Sequence, residues 1–405
     1  VTETPARPAP LPLHMRRDRF TPDPELDRFR EAGDVPLVRG AFGTHAYLVT
    51  RHDDVREVLG DADTFSNAAG VRIRRPEGPQ LSDAELAEMR AGNLLAHDPP
   101  EHTRLRRLLT PEFTQRRMAR LEPRITEIVE DRLDALEQAG PGADLVQEFA
   151  LPVPSLVICE LLGVPYADRD EFAERSSRLL DLSLPTDERL ALSRQSRAYM
   201  SRLVDGALAE PGEDILGMLV REHAGDLTHA ELVGIASLLL IAGHETTSNM
   251  LSLGTLALLE HPEQAALVRD DPEAARPAVE ELLRWLTIVH TGVVRVATRD
   301  TEIRGVAIPR DGLVLCSLPA ANRDPGAGVE DPARLDVRRG AAGHVAFGHG
   351  VHHCLGAPLA RREMTTAFPA LLRRFPALAV DGESPPSAFR AYHFVYGMHS
   401  LPVTW

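Results

Sequence analysis

The chain contains no lysine, so all 45 of its permanently basic side chains are arginine. A GC-rich genome explains such a bias, and no function is built on it. Basic charge is also short overall: 60 acids leave a net charge of -15. This argues against a nucleic-acid partner, whose phosphates call for a basic surface. Cysteine is scarce, with only Cys159, Cys316 and Cys354, odd in number and far apart. That excludes a disulfide framework and fits a reducing compartment. Long apolar runs are missing too. LVGIASLLLIAG, residues 232–243, falls well short of the ~20 residues a membrane span needs. The first residues, VTETPARPAPLPL, lack the basic-then-apolar order of a signal peptide, so residues 1–15 read as a flexible Pro-rich arm and 16–405 as one domain. A cytoplasmic protein is expected, with no membrane association.

What remains is ordinary globular material, 43% hydrophobic and 26% charged. At 405 residues it needs either two domains or one unusually large helical one, and it can bury a large cofactor. AYLVT (46–50) reads as a strand and HDDVREVLG (52–60) as a helix. In DPPEHTRLRRLL, Asp98 is expected to cap a helix with proline at its first position. His102, Leu105, Arg106 and Leu109 then share a face. Amphipathic helices fill 114–208, broken at GPG and LPVP. Thr228 and Glu231 form a capping box opening a helix that runs to Glu260. Its ~32 residues at ~1.5 Å each span nearly 50 Å, long enough to cross the domain. Alternating segments VVRVA, TEI, VAI and LVLCSL, all after Arg284, predict a small sheet of hairpins.

The most informative stretch is FGHGVHHCLG, 347–356, which offers three histidines and one cysteine. Zinc would recruit four such ligands, yet no second Cys or His pair with finger spacing lies nearby. The alternative gives Cys354 alone the ligand role. LGAPLARREMTTAF reads as a helix starting just after it, and free N–H groups at a helix N-terminus favour a thiolate. A lone thiolate is one way haem iron is held. Gly348 and Gly350 would let the loop turn beneath a flat macrocycle, Gly356 would let helix backbone approach it, and Phe347 would pack beside the sulfur.

Phe-Gly-x-Gly-x-His-x-Cys-x-Gly resembles the haem-binding signature of the cytochrome P450 family. The resemblance implies a mainly α fold with small β-sheets, a long central helix, and haem between that helix and the one following the cysteine. It makes Cys354 the axial metal ligand and His352 a propionate partner, leaving His349 and His353 as solvated loop histidines. AGHETT (242–247) resembles the family's oxygen-activation motif. Gly243 would leave room for a diatomic, Thr246 would bond the carbonyl of Ala242, which also lines the pocket, and Glu245 would relay protons. Glu281 and Arg284 resemble the family's Glu-x-x-Arg pair. PARL resembles its Pro-x-Arg-Phe element, making Arg334 the third member, with neighbouring Arg339 as the alternative. His102, Arg106 and Arg295 match the positions that neutralise the haem propionates.

The activity so implied is activation of dioxygen on haem b, with two electrons and two protons. One oxygen atom enters a C–H or C=C bond and the other leaves as water. Electrons are expected from a separate ferredoxin with its reductase. Residues 98–124 hold seven arginines against four acids, and with Arg361 and Arg362 they predict a basic docking patch. Val71, Leu94, Leu239, Ile288, Val289, Val293, Phe394 and Val395 are expected to wall the substrate pocket. Those aliphatic walls suit a large hydrophobic ligand. AFGHGVHHCLG, DPPEHTRLRR and SLPAANRDP resemble actinobacterial members that oxidise polyketide, terpenoid or peptide natural products. Hydroxylation or epoxidation is the first expectation. Phenol coupling on a peptide antibiotic precursor is the second, and a haem-based ligand sensor the non-enzymatic alternative.

Overall fold

A computed structural model describes residues 10–41, 43–69, 82–165, 168–223 and 225–405. Its axis is the helix His229–Leu259, opened by the expected capping box: Thr228 Oγ1 accepts from the Glu231 N–H while the Glu231 carboxylate accepts from the Thr228 N–H. Thirty-one residues at ~1.5 Å each give ~46 Å. The helix is apolar on nearly every face because other helices cover it, chiefly Pro152–Leu161, Thr186–Ala209 and Ala357–Arg374. Two glycines permit that closeness. A Cβ at Gly234 would collide with the Ala91 carbonyl, and one at Gly254 would meet the Phe368 ring on Ala357–Arg374 at 2.5 Å.

One stripe of the central helix stays uncovered. Leu238, Ala242 and Thr246, four residues apart and therefore on one face, are less buried than their neighbours, with Ala242 exposed. An exposed alanine in the middle of a central helix marks an internal cleft.

The sheet differs from the expected hairpins. Its order is Leu37–Arg39, His45–Val49, Leu313–Cys316, Val293–Ala297, Phe65–Ser66. His45–Val49 pairs parallel with Leu313–Cys316, Leu48 opposite Leu315, so the two ends of the chain share one sheet. Alternation shows a strand but not its partner, so this long-range pairing was invisible in the pattern. Of the four segments predicted after Arg284, only Thr301–Ile303 and Val306–Ile308 pair as a tight local hairpin, while Val293–Ala297 pairs antiparallel with Leu313–Cys316 across a longer span. The helix predicted to start at Asp98 instead runs Glu101–Leu109. The Asp98 carboxylate is engaged elsewhere, accepting from Ser66 Oγ at 2.5 Å and the Asn67 N–H at 2.8 Å, and so ties the sheet edge to the helix start. Among the described residues, no helix is long and apolar enough to cross a membrane.

Candidate active site

The cysteine loop is closed by its own backbone, the Cys354 N–H donating to the Phe347 carbonyl at 2.9 Å. Gly348 and Gly350 both sit at φ +72°, the left-handed region the turn requires, and a Cβ on Gly350 would strike the Leu59 carbonyl. A Cβ on Gly356 would meet nothing within 4 Å, so that face is open. The helix Ala357–Arg374 follows directly. Cys354 is solvent-exposed at its own surface, yet it is closely surrounded by protein. That crowding raises the free thiol's pKa through desolvation. The Gly356 and Ala357 N–H groups and the Arg106 and Arg361 guanidiniums act in the opposite, thiolate-favouring direction. The helix terminus therefore has the anticipated sign but does not prevail on its own.

Beside the loop lies a basic cluster. The His102 and His352 rings stand 4.2 Å apart, and none of their four ring nitrogens has a hydrogen-bond partner among the described residues. Arg106 and Arg295 lie close enough to lower the His352 pKa to about 3, after desolvation and His102. Arg295 donates to the Asn67 side chain at 2.7 Å, and the nearby acid, Asp98, is bonded to Ser66 and Asn67. Two guanidiniums and two orphaned imidazoles facing one committed carboxylate are under-neutralised. A ligand bearing two carboxylates fits them.

Across the cleft, the Thr246 hydroxyl donates to the Ala242 carbonyl at 2.7 Å, as expected. Gly243 does not open the cleft: its missing Cβ would lie 2.9 Å from the Ile158 side chain, so this glycine serves helix packing. Glu245 is buried and paired with Arg390 at 3.0 Å, while Asn249 donates to the same carboxylate at 3.3 Å.

A sequence profile described as Cytochrome P450 matches residues 27–183 and 273–403. The chain is 49% identical to cytochrome P450 FAS1 of Rhodococcoides fascians over 397 residues, covering 98% of this chain and 99% of that protein. The chain belongs to the cytochrome P450 family. Among solved structures, it is similar to P450 StaH from glycopeptide antibiotic A47934 biosynthesis (TM-score 0.85, 44% identity, 98% of this chain and 100% of that one). It is also similar to MycCI, the mycinamicin VIII C21 methyl hydroxylase of Micromonospora griseorubida, bound to mycinamicin VIII (TM-score 0.90, 36% identity, 98% and 99%). The mainly α fold with small sheets is thus the P450 fold, and the activity is that of an oxidoreductase, a cytochrome P450 monooxygenase using haem iron and dioxygen.

Within this P450 frame the Glu281–Arg284 pair is fully buried and bidentate, both contacts at 2.8 Å. Its third member is Arg339, which reaches Glu281 Oε1 at 2.8 Å. Arg334 is not: its side chain is 67% exposed and meets only Asp336, at 3.2 Å. The correction has a physical cause. The backbone around 331–339 turns so that the Arg334 carbonyl, rather than its side chain, meets Arg339.

The expected pocket residues divide. Leu94, Leu239, Ile288, Phe394 and Val395 belong to the core built on the central helix, whereas Val289 and Val293 pack against the sheet's own core. Val71 lies outside the described residues. The predicted basic patch is smaller than its composition suggests. Arg104, Arg117, Arg124, Arg361 and Arg362 pair with Glu101, Glu112, Glu160, Glu280 and Glu122. Arg107, Arg116 and Arg120 remain exposed, with no acid partner among the described residues.

Two site residues were missed in the sequence. Arg390 gave no signal because its partner is 145 positions away. Glu363 sits fully buried on the helix Ala357–Arg374, bonded to Thr247, and burial pushes its pKa up to about 8. An acid at an apolar helix position could have flagged it.

Proposed function

We propose that this P450 binds haem b between the cysteine loop and the central helix, and that it hydroxylates or epoxidises a large, weakly polar natural product. The carrying observation is the placement of Cys354 beside a cluster of His102, Arg106, Arg295 and His352 with too little acid to neutralise it. Cys354 would be the iron ligand, the four basic residues would meet the two propionates, and Phe347, Gly348 and Gly356 would shape the floor. Haem b supplies the redox-active iron on which dioxygen is activated. Ala242 keeps the opposite wall small, and the Thr246 hydroxyl, backed by Glu245, holds and passes protons at the cleft. Leu94, Leu239, Ile288, Phe394 and Val395 supply apolar walls, with Val289 and Val293 toward the sheet.

Residues 16–405 would act as one catalytic unit in the cytoplasm, reduced by a ferredoxin and its reductase docking at Arg107, Arg116 and Arg120. Similarity to MycCI, the mycinamicin VIII C21 methyl hydroxylase, supports oxygen insertion. Similarity to StaH supports a second reading, oxidative coupling of phenols on a peptide antibiotic precursor. Turnover under isotopically labelled dioxygen separates them. Label in the product is expected, and a cross-linked product without label would replace the first reading by the second.

A further inference from the structure

Glu245 is 1% exposed and turned away from the cleft that Thr246 faces. Its Oε2 accepts from Arg390 and Asn249, while its Oε1 lies 3.6 Å from His244 Nε2 and accepts no hydrogen bond. A carboxylate held this way needs a source of protons other than open water.

The element behind it provides one. The segment Phe389–Met398 folds on itself, with the Arg390 N–H donating to the Gly397 carbonyl at 2.8 Å, and lies directly on the central helix. A Cβ at Gly397 would collide with the Asn249 side chain. Its outer edge pairs with residues 180–182, through Leu182 N–H to the Tyr392 carbonyl at 2.7 Å and Phe394 N–H to the Leu180 carbonyl at 2.9 Å. At that seam His393 Nε2 stands 3.8 Å from Asp181 Oδ2, and the His393 and His399 rings are 5.5 Å apart. His399 is exposed and Asp181 partly so, whereas His393 and Arg390 are buried. Burial, reinforced by Arg390, lowers the His393 pKa to about 4 against the pull of Asp181 and Glu245, so this imidazole rests neutral and readily gives up any proton it takes. The facing groups are thus Arg390 and His393 from this segment, His399 just beyond it, Asp181 from the adjoining loop, His244 and Asn249 from the central helix, and Ser177, which accepts from Arg390 at 3.2 Å.

We infer that Glu245 draws its protons from the surface through Asp181, His399 and His393, and that Arg390 is the positioning residue that holds the carboxylate until it turns toward Thr246. Each transfer moves one proton: His393 accepts it on one ring nitrogen from the Asp181 side and gives one up toward Glu245, returning to the neutral imidazole with no change of electrons. A small rotation of the Asp181 or His393 side chain brings the 3.8 Å separation within hydrogen-bond distance.

This rests on reading Glu245 as the proton carrier, so Glu245→Gln is the control. In the holoenzyme, Asp181→Asn and His393→Phe are expected to lower coupling of electrons to product at least about threefold and to enlarge the solvent isotope effect, with haem content and substrate-induced spin shift unchanged. In the resting protein, without turnover, Arg390→Gln is expected to add a protonated-carboxyl infrared stretch to that of Glu363, the added band being absent in Arg390→Gln/Glu245→Gln, because a buried charge stripped of its partner takes up a proton. If Glu245→Gln impairs coupling while Asp181→Asn and His393→Phe behave as wild type, the route is wrong. If Glu245→Gln itself has no effect, the reading beneath it fails instead.

Discussion

At the residue scale, the motif around Cys354 was legible because it is local: glycines, a cysteine and a following helix within ten positions. The Glu281 network was only half legible. Its helical pair follows from i,i+3 spacing, but the third arginine depends on how an irregular stretch folds, and pattern matching selected Arg334 where geometry selects Arg339. The two arginines make a direct test. Arg339→Ala should cost about 1–3 kcal/mol, the worth of a charged hydrogen bond to a buried carboxylate, whereas Arg334→Ala should stay within about 0.5 kcal/mol, as exposed substitutions do. Denaturation midpoints of the two variants decide it, and equal effects would return Arg334 to the network. Thr246→Ala removes the hydroxyl bonded to the Ala242 carbonyl. It should divert reducing equivalents to peroxide, and tight coupling in that variant would refute the relay role.

At the element scale, the central helix was readable almost to its last residue, since a capping box and an apolar run state its ends and its burial. What could not be read is the distance of its neighbours, which is set by absent side chains. Gly234→Ala should destabilise by about 1–3 kcal/mol through overpacking, despite alanine's better helix propensity, because the obstacle is the Ala91 carbonyl rather than a side chain that can turn away. A raised unfolding midpoint would show that the helices can part. Asp98 illustrates the opposite failure. Its local sequence asks for a helix cap, but bonds to Ser66 and Asn67 across the fold outcompete that role.

At the scale of the whole molecule, charge and titration carry the predictions. Composition gave a basic patch. The structure neutralises most of it and leaves Arg107, Arg116 and Arg120, so charge reversal at these three should raise the ferredoxin KM several-fold at low salt, the difference shrinking as salt is added. Unchanged KM would move the docking face elsewhere. Buried His14, His290 and His393 have pKa values lowered to about 4, 3 and 4. The native state therefore binds fewer protons than the unfolded one below pH ~6.5, and stability falls as pH drops through that range. Glu363 works in the other direction. With its pKa raised from 4.5 to about 8, its contribution is full below pH ~4.5 and is lost as pH rises from there to about 8, so Glu363→Gln should flatten the decline in the unfolding midpoint across that range. The central claim is that Cys354 presents a thiolate to haem iron, and the spectrum of the reduced carbon monoxide complex tests it most directly. A thiolate-type Soret band that disappears in Cys354→Ala is predicted, while a colourless protein, or a band typical of nitrogen-ligated haem in the wild type, would contradict the account.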